Sequence, residues 1–99
     1  MKYRKLGKTG ISVSEVGFGC GNVGAIIIRQ PVQVRLQAVR RALESGINYF
    51  DTAPQYGQGQ SEINLGQLLK ELRANPFVAT KVRLKNEDLS NINKAVNDS

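Results

Sequence analysis

The sequence predicts an α/β fold: an N-terminal hairpin, then strands and helices in the order hairpin-β-α-β-α-β-α. That order is part of a barrel or part of a doubly wound sheet. Short apolar runs of strand length alternate with longer amphipathic stretches of helical period. Two of those runs finish on a charged residue, Asp51 and Lys81, and a tyrosine, Tyr56, follows Asp51 by five positions in a strand-to-helix loop. Ligands of parallel α/β sheets bind at the C-terminal edge of the strands. Parallel pairing would therefore bring Asp51, Tyr56 and Lys81 to one rim.

Tyr3 to Leu6 and Ile11 to Val13 are extended runs around Lys8-Thr9-Gly10, a hairpin with glycine at the turn. Val16 to Gly19 reads as the first strand of the main sheet, where Gly17 and Gly19 suggest close backbone approach. Gly21, Asn22, Val23 and Gly24 form the loop after it. Gln30 to Ser45 reads as a helix. Pro31 suits its first turn, and Val32, Leu36, Val39 and Leu43, with Ala38 and Ala42, make its apolar stripe. Arg35, Arg40, Arg41 and Glu44 lie largely off that stripe, and Gly46 is a stop signal.

Ile47 to Asp51 is the next strand. Ser61 is placed as the N-cap of a second helix, with Glu62 complementing the helix N-terminus. Leu65, Leu68, Leu69 and Leu72 form its buried stripe, and Asn75-Pro76 ends it. Phe77 to Val82 is apolar enough for a strand covered on both faces. A third helix is expected to begin near Glu87, with Leu89, Ile92 and Val96 repeating at three and four. Gly57-Gln58-Gly59 lacks the Lys-Ser/Thr ending of a phosphate loop and reads as flexible loop.

The 99 residues suffice for one small domain, taken as 1–99 with the hairpin at about 3–14. A formal charge of +6 comes from 14 basic and 8 acidic residues. The basic residues are scattered and no aromatic platform accompanies them, which argues against a nucleic-acid module. Cys20 is the only cysteine, so an intrachain disulfide is excluded, and it reads as a small buried residue. No apolar h-region follows Met1, and the longest apolar run, Val23 to Ile28, is far too short for a membrane span. The expectation is a soluble cytoplasmic protein with no nucleic-acid, membrane or metal partner.

The stretch NYFDTAPQYGQGQSEINLG (48–66), followed by FVATKV (77–82), resembles the aldo-keto reductase family, as does the opening KYRKLGKTGISVSEVGFGCGNVG (2–24). The resemblance implies a (β/α)8 barrel, of which 99 residues are about the first third, since such a barrel needs about 250. It implies that the hairpin plugs the barrel bottom. It also implies reversible reduction of an aldehyde or ketone to an alcohol by NADPH, or NADH. Of the family's catalytic Asp, Tyr, Lys and His, the first three fall on Asp51, Tyr56 and Lys81. The histidine has no counterpart, because the chain contains none. Gly21, Asn22, Val23 and Asp51 are the implied cofactor contacts.

Chemistry explains the three residue types. Hydride must come from a cofactor, because no side chain supplies one. A tyrosine can protonate the carbonyl oxygen, but its ordinary pKa is about 10. A neighbouring ammonium favours the phenolate, and an aspartate holds and compensates the ammonium. Tyr56 is thus the expected general acid, Lys81 its modulator and Asp51 the partner of Lys81. Without the histidine and the adenosine-phosphate site, the 99-residue chain is expected to be inactive alone, and its open sheet edges are expected to make it self-associate. The alternative is a non-catalytic nicotinamide-binding regulatory subunit on the same fold, against which the intact Asp51/Tyr56/Lys81 set argues.

Overall fold

The computed structural model describes residues 1–22, 25–82 and 91–98. An antiparallel hairpin pairs β1 (Tyr3–Lys5) with β2 (Ser12–Ser14), Tyr3 opposite Ser14. A parallel sheet follows in the order β3 (Phe18–Gly19), β4 (Tyr49–Asp51), β5 (Phe77–Ala79). Helices α1 (Ile26–Arg29) and α2 (Val32–Glu44) lie between β3 and β4, and α3 (Gln60–Glu71) between β4 and β5. Helix α4 (Ile92–Asp98) comes last, with Asn91 Oδ1 accepting the Lys94 N–H at 3.1 Å. The expected start of this helix near Glu87, with Leu89, lies outside the described residues. No helix among the described residues is long and apolar enough to cross a membrane.

The core lies between the sheet and the helices. Cys20, Ile27, Val39, Ala42, Phe50, Leu65 and Leu68 are buried together, and Phe18, Leu36, Leu43, Ile47, Leu69 and Leu72 pack around them. Phe50 is fully buried and meets Phe18 at 5.2 Å between ring centroids. Two members of the predicted helix faces sit differently: Val32 is 52% exposed, while Arg35 is half-buried and reaches the Ile27 carbonyl at 3.4 Å. The helix expected over Gln30 to Ser45 runs from Val32 to Glu44, and Pro31, expected in its first turn, stands in extended backbone as the N-cap just ahead of α2.

Both long helices end in Schellman turns. At α2 the Ile47 N–H bonds Ala42 O at 3.0 Å and the Gly46 N–H bonds Leu43 O at 3.0 Å. Ile47 is thereby used as a helix stop, which is why β4 begins at Tyr49 rather than Ile47. At α3 the matching bonds run from Ala74 to Leu69 and from Arg73 to Lys70, with Arg73 at φ 53. The stop therefore precedes Asn75-Pro76 and uses an arginine where glycine is favoured. Strand β3 is also shorter than Val16 to Gly19, because Ser14 Oγ donates to Val16 O at 2.6 Å and bends the chain there. Strand β5 ends at Ala79, so Lys81 lies past the strand rather than at its last position. The helix α1 was not foreseen: a four-residue apolar helix shows no periodicity to read.

The hairpin is fixed to the N-terminal end of the parallel sheet. Asn48 Oδ1 accepts the Ser14 N–H at 2.7 Å, and its Nδ2 donates to Ser12 O at 3.0 Å. The Tyr3 hydroxyl donates to Gly46 O at 2.7 Å. A Cβ on Gly46, which has φ +93, would stand 2.7 Å from that hydroxyl, so both backbone conformation and packing require glycine there.

Candidate active site

The strand ends that carry the site are aligned by register: Gly19 pairs with Asp51, and Asp51 with Ala79. Backbone bonds continue the row beyond the strands. The Cys20 N–H bonds Asp51 O at 2.9 Å, and the Thr52 N–H bonds Ala79 O at 2.8 Å. Beneath the rim runs a buried side-chain relay. Ser61 Oγ donates to Cys20 O at 2.8 Å and lies 2.7 Å from Thr52 Oγ1. A hydroxyl has one proton. Ser61 uses its proton on Cys20, so Thr52 is the donor to Ser61.

Ser61 is therefore not the N-cap of α3. That position falls to Gly59, at φ 93, without a side-chain cap, and Ser61 sits in the first turn, fully buried against the β3 and β4 ends. Its neighbour Glu62 lies in the first turn and accepts a 2.6 Å hydrogen bond from Thr80 Oγ1, joining α3 to the segment that carries Lys81.

Lys81 bends back over this rim. Its Nζ donates to Asp51 Oδ1 at 3.0 Å and to Thr52 O at 2.8 Å, and lies 4.9 Å from the centroid of the Tyr56 ring. Asp51, Tyr56 and Lys81 are thus brought together. The hydrogen bond to Asp51 chiefly holds the Lys81 ammonium above its ordinary value of 10.5; desolvation opposes this, and Tyr56 adds to it. The Asp51–Lys81 side chains are each 42% exposed, so water screens the pair and it contributes little stability. Its effect is to fix where the ammonium stands. Cys20, 1% exposed, has its thiol pushed up to about 12, by burial first and by the Asp51 charge second.

An open cleft of about 420 Å³ lies against Gly19, Gly21, Asn22, Asp51 and Tyr56. A Cβ on Gly19 would meet nothing within 4 Å, so that glycine leaves room in the cleft rather than permitting a close protein contact as expected. Gly17 does mark such a contact, its Cβ position lying 3.2 Å from the Tyr49 ring. A Cβ on Gly21 would lie 3.7 Å from the Tyr56 ring. Asn22 also borders the cleft, and its Oδ1 accepts the Gly57 N–H at 3.0 Å. Val23 and Gly24 lie outside the described residues. The Gly57-Gln58-Gly59 run is a defined turn rather than a loose loop: Gly57 and Gln58 take left-handed backbone, at φ 59 and 56, and the turn leads directly into α3.

Two participants were missed as such. The Thr52 carbonyl is a second anchor for Lys81, and Ser61 holds Thr52 from below. Both residues lie within the stretch 48–66, but no local pattern marks a backbone carbonyl as a ligand.

A hairpin followed by parallel β-α units, with an Asp–Lys–Tyr cluster at the strand ends, defines an α/β protein with a polar rim at the C-terminal edge of its sheet. The aldo/keto reductase family model matches residues 15–99, and the chain belongs to that family. It is 43% identical over 84 residues to an L-galactose dehydrogenase of Arabidopsis thaliana, an alignment spanning 82% of this chain and 26% of that protein. It is 37% identical over 94 residues to an aldo-keto reductase of Bacillus subtilis (strain 168), spanning 90% of this chain and 28% of that protein. Among solved structures, the holo form of an aldo-keto reductase from Bacillus halodurans superimposes with TM-score 0.72 at 34% identity, over 99% of this chain and 35% of that one. The fold is therefore the N-terminal hairpin and β-α-β-α-β-α portion of a (β/α)8 barrel. The chain spans about a quarter of the length of these curated relatives.

Proposed function

We propose that this chain contributes the proton-transfer side of a nicotinamide-dependent carbonyl reductase, reducing an aldehyde or ketone to an alcohol within a complete barrel. One observation carries the reading: Lys81 Nζ is held at 3.0 Å from Asp51 and 4.9 Å from the Tyr56 ring, beside the open cleft. Its relatives support the oxidoreductase class, including the L-galactose dehydrogenase and a pyridoxal 4-dehydrogenase of Microbacterium luteolum.

The cleft fits a nicotinamide ribose, with an open glycine position at Gly19 and polar groups from Asn22 and Asp51. NADPH is the expected cofactor, with NADH as the alternative. When bound, it supplies the hydride that no side chain can. Tyr56 gives its hydroxyl proton to the carbonyl oxygen as that oxygen becomes an alkoxide. The Lys81 ammonium, pinned by the Asp51 carboxylate and the Thr52 carbonyl, holds positive charge beside the phenol while it loses its proton. Asp51 keeps that ammonium from drifting into solvent.

The test is Tyr56→Phe in a complete barrel carrying this segment, followed by nicotinamide absorbance and by cofactor fluorescence titration. The phenol acts only on charge that develops in the transition state, so kcat falls by about 10²-fold or more while cofactor affinity holds. Retention of most of kcat would remove Tyr56 from the role. Cofactor binding without turnover in the unmutated barrel would favour the regulatory-subunit reading.

A further inference from the structure

The turn that carries Tyr56 is held in a conformation its sequence does not favour. Gly57, Gln58 and Gly59 have φ of 59°, 56° and 93°. Glycine adopts this left-handed region freely, but Gln58 does not, so three successive residues there need external support. The support comes from the segment after β3. Asn22 Oδ1 accepts the Gly57 N–H at 3.0 Å. On its other side Gly57 lies against Ile28: a Cβ at Gly57 would come within 2.9 Å of Ile28 Cγ2. The Tyr56 ring in turn stands over Gly21, whose Cβ position is 3.7 Å from ring carbons. The turn is thus held by a side-chain acceptor, an apolar wall and a bare backbone.

We propose that Asn22 is a positioning residue for Tyr56. Its carbonyl oxygen locks the strained turn through the Gly57 N–H and so keeps the phenol ring over the Lys81 ammonium. This differs from the cofactor-contact role expected of Asn22. It is compatible with that role, since Oδ1 is occupied by the protein and Nδ2 has no protein partner among the described residues. The catalytic consequence rests on Tyr56 being the proton donor, but the clamp is testable without turnover, so failure of one is separable from failure of the other.

The experiment is nuclear magnetic resonance on a complete barrel carrying this segment, comparing wild type, Asn22→Ala and Asn22→Asp. Aspartate keeps an acceptor oxygen at the same place; alanine removes it. In the wild type the Gly57 amide is protected from exchange, and a nuclear Overhauser contact joins the Tyr56 ring to the Lys81 Cε protons. In Asn22→Ala that amide exchanges about tenfold faster, as expected for loss of one hydrogen bond, and the ring contact weakens. Asn22→Asp restores both. The Gly46 amide, in the distant Schellman turn, is unchanged throughout. An unprotected Gly57 amide in the wild type overturns the proposal. So does equal Gly57 exchange in wild type and Asn22→Ala, or a ring contact with Lys81 that survives the alanine substitution intact.

Discussion

Replacing Ser61 by alanine deletes one oxygen from the centre of the relay beneath the rim. Ser61 is fully buried and Thr52 is 2% exposed, so water cannot take over the lost bonds. The substitution strips the Cys20 carbonyl of the donor at 2.8 Å and the Thr52 hydroxyl of its acceptor at 2.7 Å. Each buried group left unsatisfied costs about 1–3 kcal/mol. The Thr52 hydroxyl can rotate toward another acceptor, so the lower half of that range applies to each, giving about 2–4 kcal/mol. Thr52→Val is nearly isosteric and leaves the Ser61–Cys20 bond intact, so it costs about 1 kcal/mol. The double substitution removes the stranded hydroxyl along with its former acceptor and therefore costs less than the sum of the two. Urea denaturation followed by far-ultraviolet circular dichroism measures all four forms. Each kcal/mol corresponds to about 4–8 °C in Tm for a domain of this size. A Ser61→Ala cost below about 0.5 kcal/mol, or costs that add across the cycle, would refute the relay.

Further tests concern ionisation and association. The Asp51 hydrogen bond raises the Lys81 folded-state pKa above 10.5, so the stability it contributes is fully present below the unfolded value and is lost as pH rises through the folded one. A ¹³Cε titration of Lys81 should therefore finish at higher pH than in Asp51→Asn. The Cys20 thiol, with its pKa near 12, should resist a thiol reagent at pH 8 in the folded chain and react on unfolding. Its raised pKa also means that the unfolded chain loses the thiol proton first, so stability declines from about pH 9 upward. Finally, Val16, Phe77 and Val78 are 53%, 41% and 44% exposed, and β5 is the last strand of its sheet. We expect the isolated chain to associate; a single monomeric peak in size-exclusion chromatography with a cooperative melt above about 60 °C would contradict this.

The alternation of strands and helices was legible because each element carries its own period. Leu65 and Leu68 on α3, and Val39 and Ala42 on α2, are buried where the apolar spacing puts them. The convergence of Asp51 and Lys81 was legible because parallel pairing fixes which strand ends are neighbours. What escaped was set by tertiary contacts. A serine followed by glutamate after a glycine-rich turn gives the signal of an N-cap, and only the approach of Cys20 O to Ser61 turns it inward. Arg73 in the left-handed region has no sequence mark, since that position ordinarily announces itself by glycine. The side-chain latch of Asn48 on Ser12 and Ser14 joins positions that no local pattern relates.

The shared register at Gly19, Asp51 and Ala79 sets how this chain can tolerate inserted or deleted residues. A residue added between Pro54 and Tyr56 would lengthen one loop and displace Tyr56, while the Asp51–Lys81 contact stays in place. A residue added within Tyr49–Asp51 acts differently, because strand side chains alternate with a period of two. It would turn Phe50 out of the core and send the Asp51 carboxylate toward the helices. Length variation in this segment should therefore be confined to the loops beyond the strand ends, where it can reshape the cleft without moving the ammonium that Asp51 and Thr52 hold.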